Sequence, residues 1–548
     1  MILQQMSIFD DVVERYKIDK PIRLIEFFAG IGAQAKALEI LGVPFEHYKT
    51  CEWAYNSYCA YNAIHIKDKK NYAEGLSKEE LIEKVNGTSV NYNEPLTNAQ
   101  LQKKNIEWLR NAYNNIIATH NLINIMNVKG KDLEIVDKDK YDYVLTYSFP
   151  CQDLSLAGKR KGMSVSQAEG GTRSGLLWEV ERILGECYEL NCLPQILIME
   201  NVPEVCGKGN ARDFEKWQMR LSEFGYSNYC EILNAKDYGI PQNRRRCFMV
   251  SILGDYNYTF PKKTQLRYRL KDLLEKNVDP KYFLSEKMIN FFTANTKKQQ
   301  ENGNGFKFEA SDGDKVAKAV TTRAGGRMDD NFVYDIELKR LGGLYDTEEE
   351  THQAGSIYDK EGLSPTLDCS NGGGHRQPII VDKVVTLGNC GNGHHSKDVS
   401  SVEGVMPTLT TGNHNNGQVI AIKNATSKGY DLAEEGDGID ISSRMQYHRG
   451  TVQKGSCQTL TTQGGGVGVV MPNLQIRKLT PCECLKLMGF SEGDYEALRE
   501  INMADGSLYH VAGDSIVSTV LVGIFSNLVN ELNSHEHIIN NYVDKEIL

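Results

Sequence analysis

Short apolar runs, each closed by a polar or glycine-bearing turn, recur through the first half of the chain. Ile22-Arg23-Leu24-Ile25-Glu26-Phe27-Phe28 reads as a strand and passes directly into Ala29-Gly30-Ile31-Gly32, and the next residues, Ala33 to Glu39, read as a helix stopped near Gly42. His47–Cys51, Tyr143–Tyr147 and Pro194–Met199 are further strand candidates. Strand, glycine turn, helix is the opening of a doubly wound α/β domain, where backbone N–H groups approach a ligand closely. Residues 66–128 interrupt this rhythm. They are charged and Asn-rich, with helical stretches at Ser77–Val85 and Asn98–His120, and read as an inserted helical excursion because structureless loops of that length are rare.

Residues 265–470 change character, being rich in Gly, Asn and Thr and poor in long helices. Ala319-Val320-Thr321-Thr322 precedes Gly325-Gly326, and Pro365-Thr366-Leu367-Asp368 precedes Gly372-Gly373-Gly374. Pro407-Thr408-Leu409-Thr410-Thr411 precedes Gly412 and Gly417, and Gln458-Thr459-Leu460-Thr461-Thr462 precedes Gly464-Gly465-Gly466. The spacing, about 40–50 residues, predicts four copies of a short strand–glycine-loop–strand unit.

With 548 residues, the chain exceeds a single core, and two or three domains are expected. Thirteen cysteines without a Cys-x-x-Cys pair point to a reduced, cytosolic protein lacking structural zinc. No apolar run approaches a membrane span, and the N-terminus lacks a signal-peptide layout. A net charge of −10 argues against a protein that coats nucleic acid, while leaving room for a local basic cleft.

The candidate chemistry sits at strand ends. Cys151, in Ser148-Phe149-Pro150-Cys151-Gln152, follows a buried strand and precedes a polar stretch, as a presented nucleophile would. Glu200-Asn201-Val202 closes another strand, at the edge where open parallel sheets bind ligands. Gln242, Arg244 and Arg246 alternate, so that on a strand they share a face. Glu52, beside Trp53, lies about twenty positions past the glycine turn, placed to accept hydrogen bonds from a ribose. No full G-x-G-x-x-G is present, which disfavours a nicotinamide dinucleotide. Singly, each has a plain reading: a buried thiol, a strand-end carboxylate, a solvated basic patch.

Taken in order, with Thr172–Trp178, Arg477–Pro481, Gly489-Phe490 and Gly513–Val517, these segments resemble the cytosine-C5 DNA methyltransferase family of bacterial and phage type. The resemblance covers about 1–260 and 475–535. It implies an α/β fold, a Rossmann-like S-adenosylmethionine-dependent methyltransferase domain with a mixed sheet, plus a smaller, mainly β target-recognition domain. The expected boundaries are 1–264 for the catalytic domain, 265–507 for recognition and 508–548 for a segment returning to the catalytic domain. The implied reaction moves a methyl group from S-adenosylmethionine to C5 of cytosine in specific duplex DNA sequences. Cys151 adds to C6 of a flipped-out base, Glu200 hydrogen-bonds N3, and Arg246, assisted by Arg244, binds O2 and holds the thiolate, with Gln152, Asn201 and Gln242 in support. No metal is needed.

By the same resemblance Phe28, Ala29, Gly30, Ile31 and Gly32 line the methionine and ribose side of the donor. Glu52 holds the ribose hydroxyls and Trp53 packs on the adenine. Asp132, followed by Leu133, resembles the family's adenine-reading aspartate. Pro150 and Leu176 complete the wall, and Asp514, Ser515 and Ile516 close it. The family usually has Asn where Asp514 stands, and a shorter connection than the one between Glu52 and Asp132. Residues 152–171, with Lys159, Arg160 and Lys161, resemble a mobile catalytic loop that places basic groups on phosphates. Candidate base readers are Arg323, Arg327, His375, Arg376, His414 and Asn415. Three of the four repeat copies keep the Thr-Leu pair of the family's recognition domains, which suggests several recognition modules in one chain. The expected partner is duplex DNA, with no membrane, for a monomer in the cytoplasm. An RNA cytosine methyltransferase and a DNA-binding repressor without catalysis are the rival readings; the repetitive reader region weighs against the first, and intact Cys151, Glu200 and Arg246 against the second.

Overall fold

The computed structural model describes residues 14–150, 173–276, 278–301, 307–311, 315–335, 475–529 and 534–548, together with short strands between 340 and 469. Packing divides the chain into two compact units, Met1–Val333 with Arg477–Leu548, and Tyr334–Ile476. Residues 265–333 and 477–507 thus pack with the first unit.

Its centre is a six-stranded sheet. The strands are β1 (Ile22–Phe27), β2 (Phe45–Cys51), β3 (Asp142–Tyr147), β4 (Ile196–Asn201), β5 (Tyr226–Asn234) and, after the two-residue β6 (Gln242–Asn243), β7 (Arg245–Leu253). Their order is β2-β1-β3-β4-β7-β5. The first four are parallel, and β7 runs antiparallel to both β4 and β5. This is the mixed α/β sheet expected.

Alternate residues of each strand feed two separate cores. Leu24, Val144, Ile196, Ile198 and Val250 point into one, and Ile25, Leu145, Leu197, Met199 and Met249 into the other. A sheet covered on both faces needs apolar side chains at nearly every position, which is why these strands read as continuous runs. The helices ahead of the sheet's midpoint are α1 (Ala33–Leu41), α2 (Tyr55–Tyr61), α3 (Lys78–Lys84), α4 (Asn98–Gln102) and α5 (Ile106–Ala118). After it come α6 (Leu177–Glu189), α7 (Ala211–Glu223), α8 (Glu286–Glu301), α9 (Pro481–Leu487), α10 (Glu492–Glu500), α11 (Asp505–Asp514) and α12 (Ser518–Ser526). α12 packs on α1 and completes the first core, so the end of the chain is structural for its beginning. Residues 505–526 are long and apolar enough to cross a membrane by length and composition alone, but 89% of their most apolar window is buried inside the fold, as in a core helix.

Residues 66–128 form a helical layer around a third core of Leu81, Val85, Leu101, Leu109, Ala112 and Ile116, joined by Tyr58 of α2. Ser77 and Thr97 start their helices with capping boxes. The stretch read as one helix over Asn98–His120 is two, because the Asn105 side chain accepts from Trp108 N at 2.7 Å and opens a new helix there.

Strands flank each of the four Thr/Gly motifs. Ala310–Ser311 and Phe332–Asp335 pair in parallel around the first, Ser356–Asp359 and Ile379–Val381 around the second, and Asp398–Ser401 and Ile420–Lys423 around the third. Around the fourth, Val452–Gln453 and Val467–Val469 both pair with Gly438–Asp440. His375, Arg376, His414 and Asn415 lie outside the described residues.

Candidate active site

A cavity of about 190 Å³ opens at the C-terminal edge of β1 to β4. The strand order reverses between β1 and β3, and such a switch point leaves a crevice that no crossover helix fills. Three non-glycine residues on its wall hold left-handed backbone, Phe28 at φ 57, Tyr92 at φ 62 and Ile123 at φ 64. Such conformations cost of order 1–3 kcal/mol each and gather where function requires them.

At the β1 end, Phe28 and Gly30 reach the cavity, whereas Ala29 and Ile31 are buried in the core behind it. Gly32, at φ 76, starts α1; a Cβ there would stand 2.5 Å from His65 Nε2. Of the five turn residues expected against the donor, the structure therefore puts two on the wall and uses three to shape it. Gly30 N donates to Glu52 Oε2 at 3.0 Å, and Ala54 N to Oε1 at 2.8 Å. Burial pushes the Glu52 carboxyl up to about 7, against the downward pull of those two N–H groups, and Asp514 across the cavity raises it further. A hydroxyl that donates to Glu52 is held best by the ionised form. Affinity for a diol-bearing ligand is thus expected to rise as pH goes from 6 to 8, and calorimetry on Glu52→Gln should show a flat profile.

At the β4 end, Glu200 is buried and paired with Arg246, Nε to Oε1 at 3.0 Å, while Ser148 Oγ donates to Oε2 at 2.9 Å. Glu200 and Arg246 meet because β7 runs antiparallel to β4, which sets the start of one beside the end of the other. Asn201 Nδ2 donates to Phe149 O at 2.9 Å, fastening the segment that leads to Pro150 on the cavity wall. Cys151 and Gln152 come next, and these two, with Lys159, Arg160 and Lys161, lie outside the described residues.

Gln242, Arg244 and Arg246 do share an inward face, but their work differs. Arg244 is buried, with Nη1 on Val320 O at 2.9 Å and Nη2 on Gly513 O and Ser515 O at 2.9 and 2.8 Å. It lines the cavity beside Arg246, where it was expected to assist on the base, and its terminal nitrogens also tie the end of α11 and residue 320 to the sheet. Gln242 is likewise a tie, Nε2 donating to Leu487 O at 2.6 Å and Oε1 accepting from Val320 N at 2.9 Å. Arg244→Ala is expected to destabilise the fold by about 3 kcal/mol, on the order of 1 kcal/mol per orphaned carbonyl, measured by urea unfolding.

Asp132 is off the wall. Its carboxylate caps its own turn, accepting from Lys129 N at 2.9 Å, and Leu133 is buried in the second core. Ile123, Asn124 and Ile125 line the cavity instead. A search for an acidic residue passes over Asn124; the available signal was the short apolar stretch Leu122–Ile125 beside the end of β2. Trp53, Leu176, Gly513 and Asp514 are on the wall as well, whereas Ser515 and Ile516 are buried behind it. Ser148, Tyr92 and Asn124 are wall residues that the motifs did not single out. Of the candidate base readers in the first repeat, Arg323 is exposed and Arg327 is forked onto Asp329 at 3.2 and 3.3 Å.

The Trp53 ring with Pro150 and Leu176 offers flat apolar surface in the cavity, and Glu52 offers acceptors for a diol. The C-5 cytosine-specific DNA methylase family matches this chain over residues 76–530. The chain is 37% identical over 293 residues to the orphan methyltransferase M.SssI of Spiroplasma monobiae, covering 52% of this chain and 72% of that one. It is 34% identical over 274 residues to the type II methyltransferase M2.ScrFI of Lactococcus lactis subsp. cremoris, covering 49% and 71%. Against the orphan methyltransferase M.SPRI of Bacillus phage SPR it is 24% identical over 453 residues, covering 76% and 90%.

Proposed function

The chain belongs to the C-5 cytosine-specific DNA methylase family, and from that premise we propose how its own residues carry out cytosine methylation of DNA. The methyl donor is S-adenosylmethionine, the substrate is duplex DNA, and the target base is turned out of the helix into the cavity. The observation that carries this reading is one continuous cavity with the Glu200–Arg246 pair at one end and Glu52 with Trp53 at the other.

Cytosine C5 is a poor nucleophile until its ring is activated. Cys151, one residue beyond the wall, bonds through Sγ to C6 and leaves enamine density at C5. Glu200 faces N3 and shares the proton there, while Arg246 binds O2 and neutralises the charge that develops on the ring. When bound, S-adenosylmethionine supplies a methyl group on a sulfonium. As C5 takes the methyl, the carbon–sulfur bond breaks and the neutral thioether leaves. The C5 proton then passes to water or a base, and elimination expels the Cys151 thiolate. A base stacked in a duplex cannot reach Cys151, so extrusion is required, with Lys159, Arg160, Lys161 and Arg323 on phosphates or base edges. The four repeats support more than one recognition module.

The test is incubation with duplex DNA and methyl-labelled S-adenosylmethionine, followed by sequencing at base resolution. Label on cytosine C5 at defined sites is expected, their number reporting the number of modules; label on transfer RNA alone would replace the substrate.

A further inference from the structure

The insertion reaches the donor end of the cavity. Tyr92, between α3 and α4, stands on its wall, and its ring stacks on His510 of α11 with centroids 3.5 Å apart and planes 26° apart. His510 Nε2 lies 3.0 Å from Asp514 Oδ2 one turn further on, and Asp514 is also on the wall. Asn56 Nδ2 faces both the Tyr92 hydroxyl at 3.4 Å and Ser507 Oγ at 3.0 Å, so α2, α11 and the insertion converge at this point. The backbone just before Tyr92 is sewn to the Glu52–Trp53 strand end, Ser89 N donating to Trp53 O at 2.7 Å and Tyr55 N to Ser89 O at 2.9 Å.

Tyr92 holds φ 62, and a bulky residue is not kept in left-handed backbone without a local reason. Burial pushes its phenol up to about 12, so near neutral pH it presents an uncharged ring. Negative charge at this wall comes from Asp514, joined by Glu52 when ionised, and attracts the ammonium and sulfonium of a methionine-derived donor.

We propose that Tyr92 is a donor-binding residue, which makes the insertion 66–128 part of the donor site: its ring forms one wall, and its stack on His510 holds Asp514 toward the donor's cationic groups. This rests on the reading that the cavity takes S-adenosylmethionine. Removing the ring weakens donor binding without touching the chemistry at Cys151, Glu200 and Arg246.

The experiment is calorimetry of the full chain with S-adenosylmethionine and with S-adenosylhomocysteine, whose sulfur is neutral, alongside steady-state kinetics on duplex DNA. Tyr92→Ala is expected to raise the donor Kd and KM about tenfold, more for S-adenosylmethionine than for S-adenosylhomocysteine, with kcat at saturating donor and the Kd for DNA unchanged. Tyr92→Phe keeps the ring and loses only the hydroxyl contact with Asn56, so it should recover most of the donor affinity lost in Tyr92→Ala; a donor Kd as weak as that of Tyr92→Ala overturns the role of the ring. A folded Tyr92→Ala with the parent's donor Kd overturns the proposal. Hydrogen exchange on the unaltered protein gives a second reading that needs no variant: donor should protect residues 88–96, and donor that binds while leaving them unprotected overturns the role of Tyr92 alone. Failure of the unaltered protein to bind S-adenosylmethionine overturns the donor reading and this proposal together.

Discussion

A Cys151→Ala protein is expected to bind donor and DNA and to leave cytosine unmethylated, with turnover reduced on the order of 10⁴-fold or more, as when other covalent nucleophiles are removed. The surroundings make this specific to the thiol. Pro150 is on the cavity wall, the preceding Phe149 is held by Asn201 at 2.9 Å, and Glu200 with Arg246 stands at the same end. All of these remain when one sulfur is deleted, so a binding site without a nucleophile should result. Duplex DNA carrying 5-fluorocytosine distinguishes the step directly. Fluorine at C5 cannot depart as a proton does, so the parent protein should accumulate a denaturant-stable DNA adduct and the Ala variant none. Methylation at the parent rate by Cys151→Ala would remove thiol addition from the mechanism.

Glu200→Gln should lower kcat about 10²–10³-fold while changing the Kd for DNA little, the range observed when one donor to a developing charge is lost. The substitution is nearly isosteric and can keep the contact with Ser148, but it abolishes the charge opposite Arg246. In the proposed mechanism both groups act on the same ring, Glu200 at N3 and Arg246 at O2, so their losses should not add. Arg246→Met in the Glu200→Gln background is expected to cost much less than in the parent, and single-turnover rates of the double-mutant cycle measure this. Additive losses would mean that the two side chains serve separate steps.

Much of the catalytic scaffold was legible along the chain. β1 to β4 lie within two residues of the runs that announce them, because a strand covered on both faces must be apolar almost throughout. The turn at Gly30 and Gly32, the carboxylate of Glu52 and the pair Glu200-Asn201 follow from those strand ends. The helical stretches from Ser77 and Asn98 were legible where α3 and α4 begin, but the break at Asn105 was not distinguished from helix interior, since an Asn can serve in either and only its Trp108 contact decides.

The sequence by itself determined the elements, their order and which residue types would reach the C-terminal edge of the sheet, because those depend on periodicity and local backbone chemistry. What each side chain does there was decided by tertiary structure. Arg244 shares a face with Arg246, yet it binds carbonyls 76, 269 and 271 positions away, and no local pattern reports such partners. Asp132 caps its own turn, and Asn124 stands on the wall because the bridge between Thr50 and Asn121 sets that segment alongside β2. Tyr92 enters the cavity for the same reason: the insertion folds on its own core and is then fastened to the end of β2 by backbone hydrogen bonds, which are formed in space between segments distant in sequence.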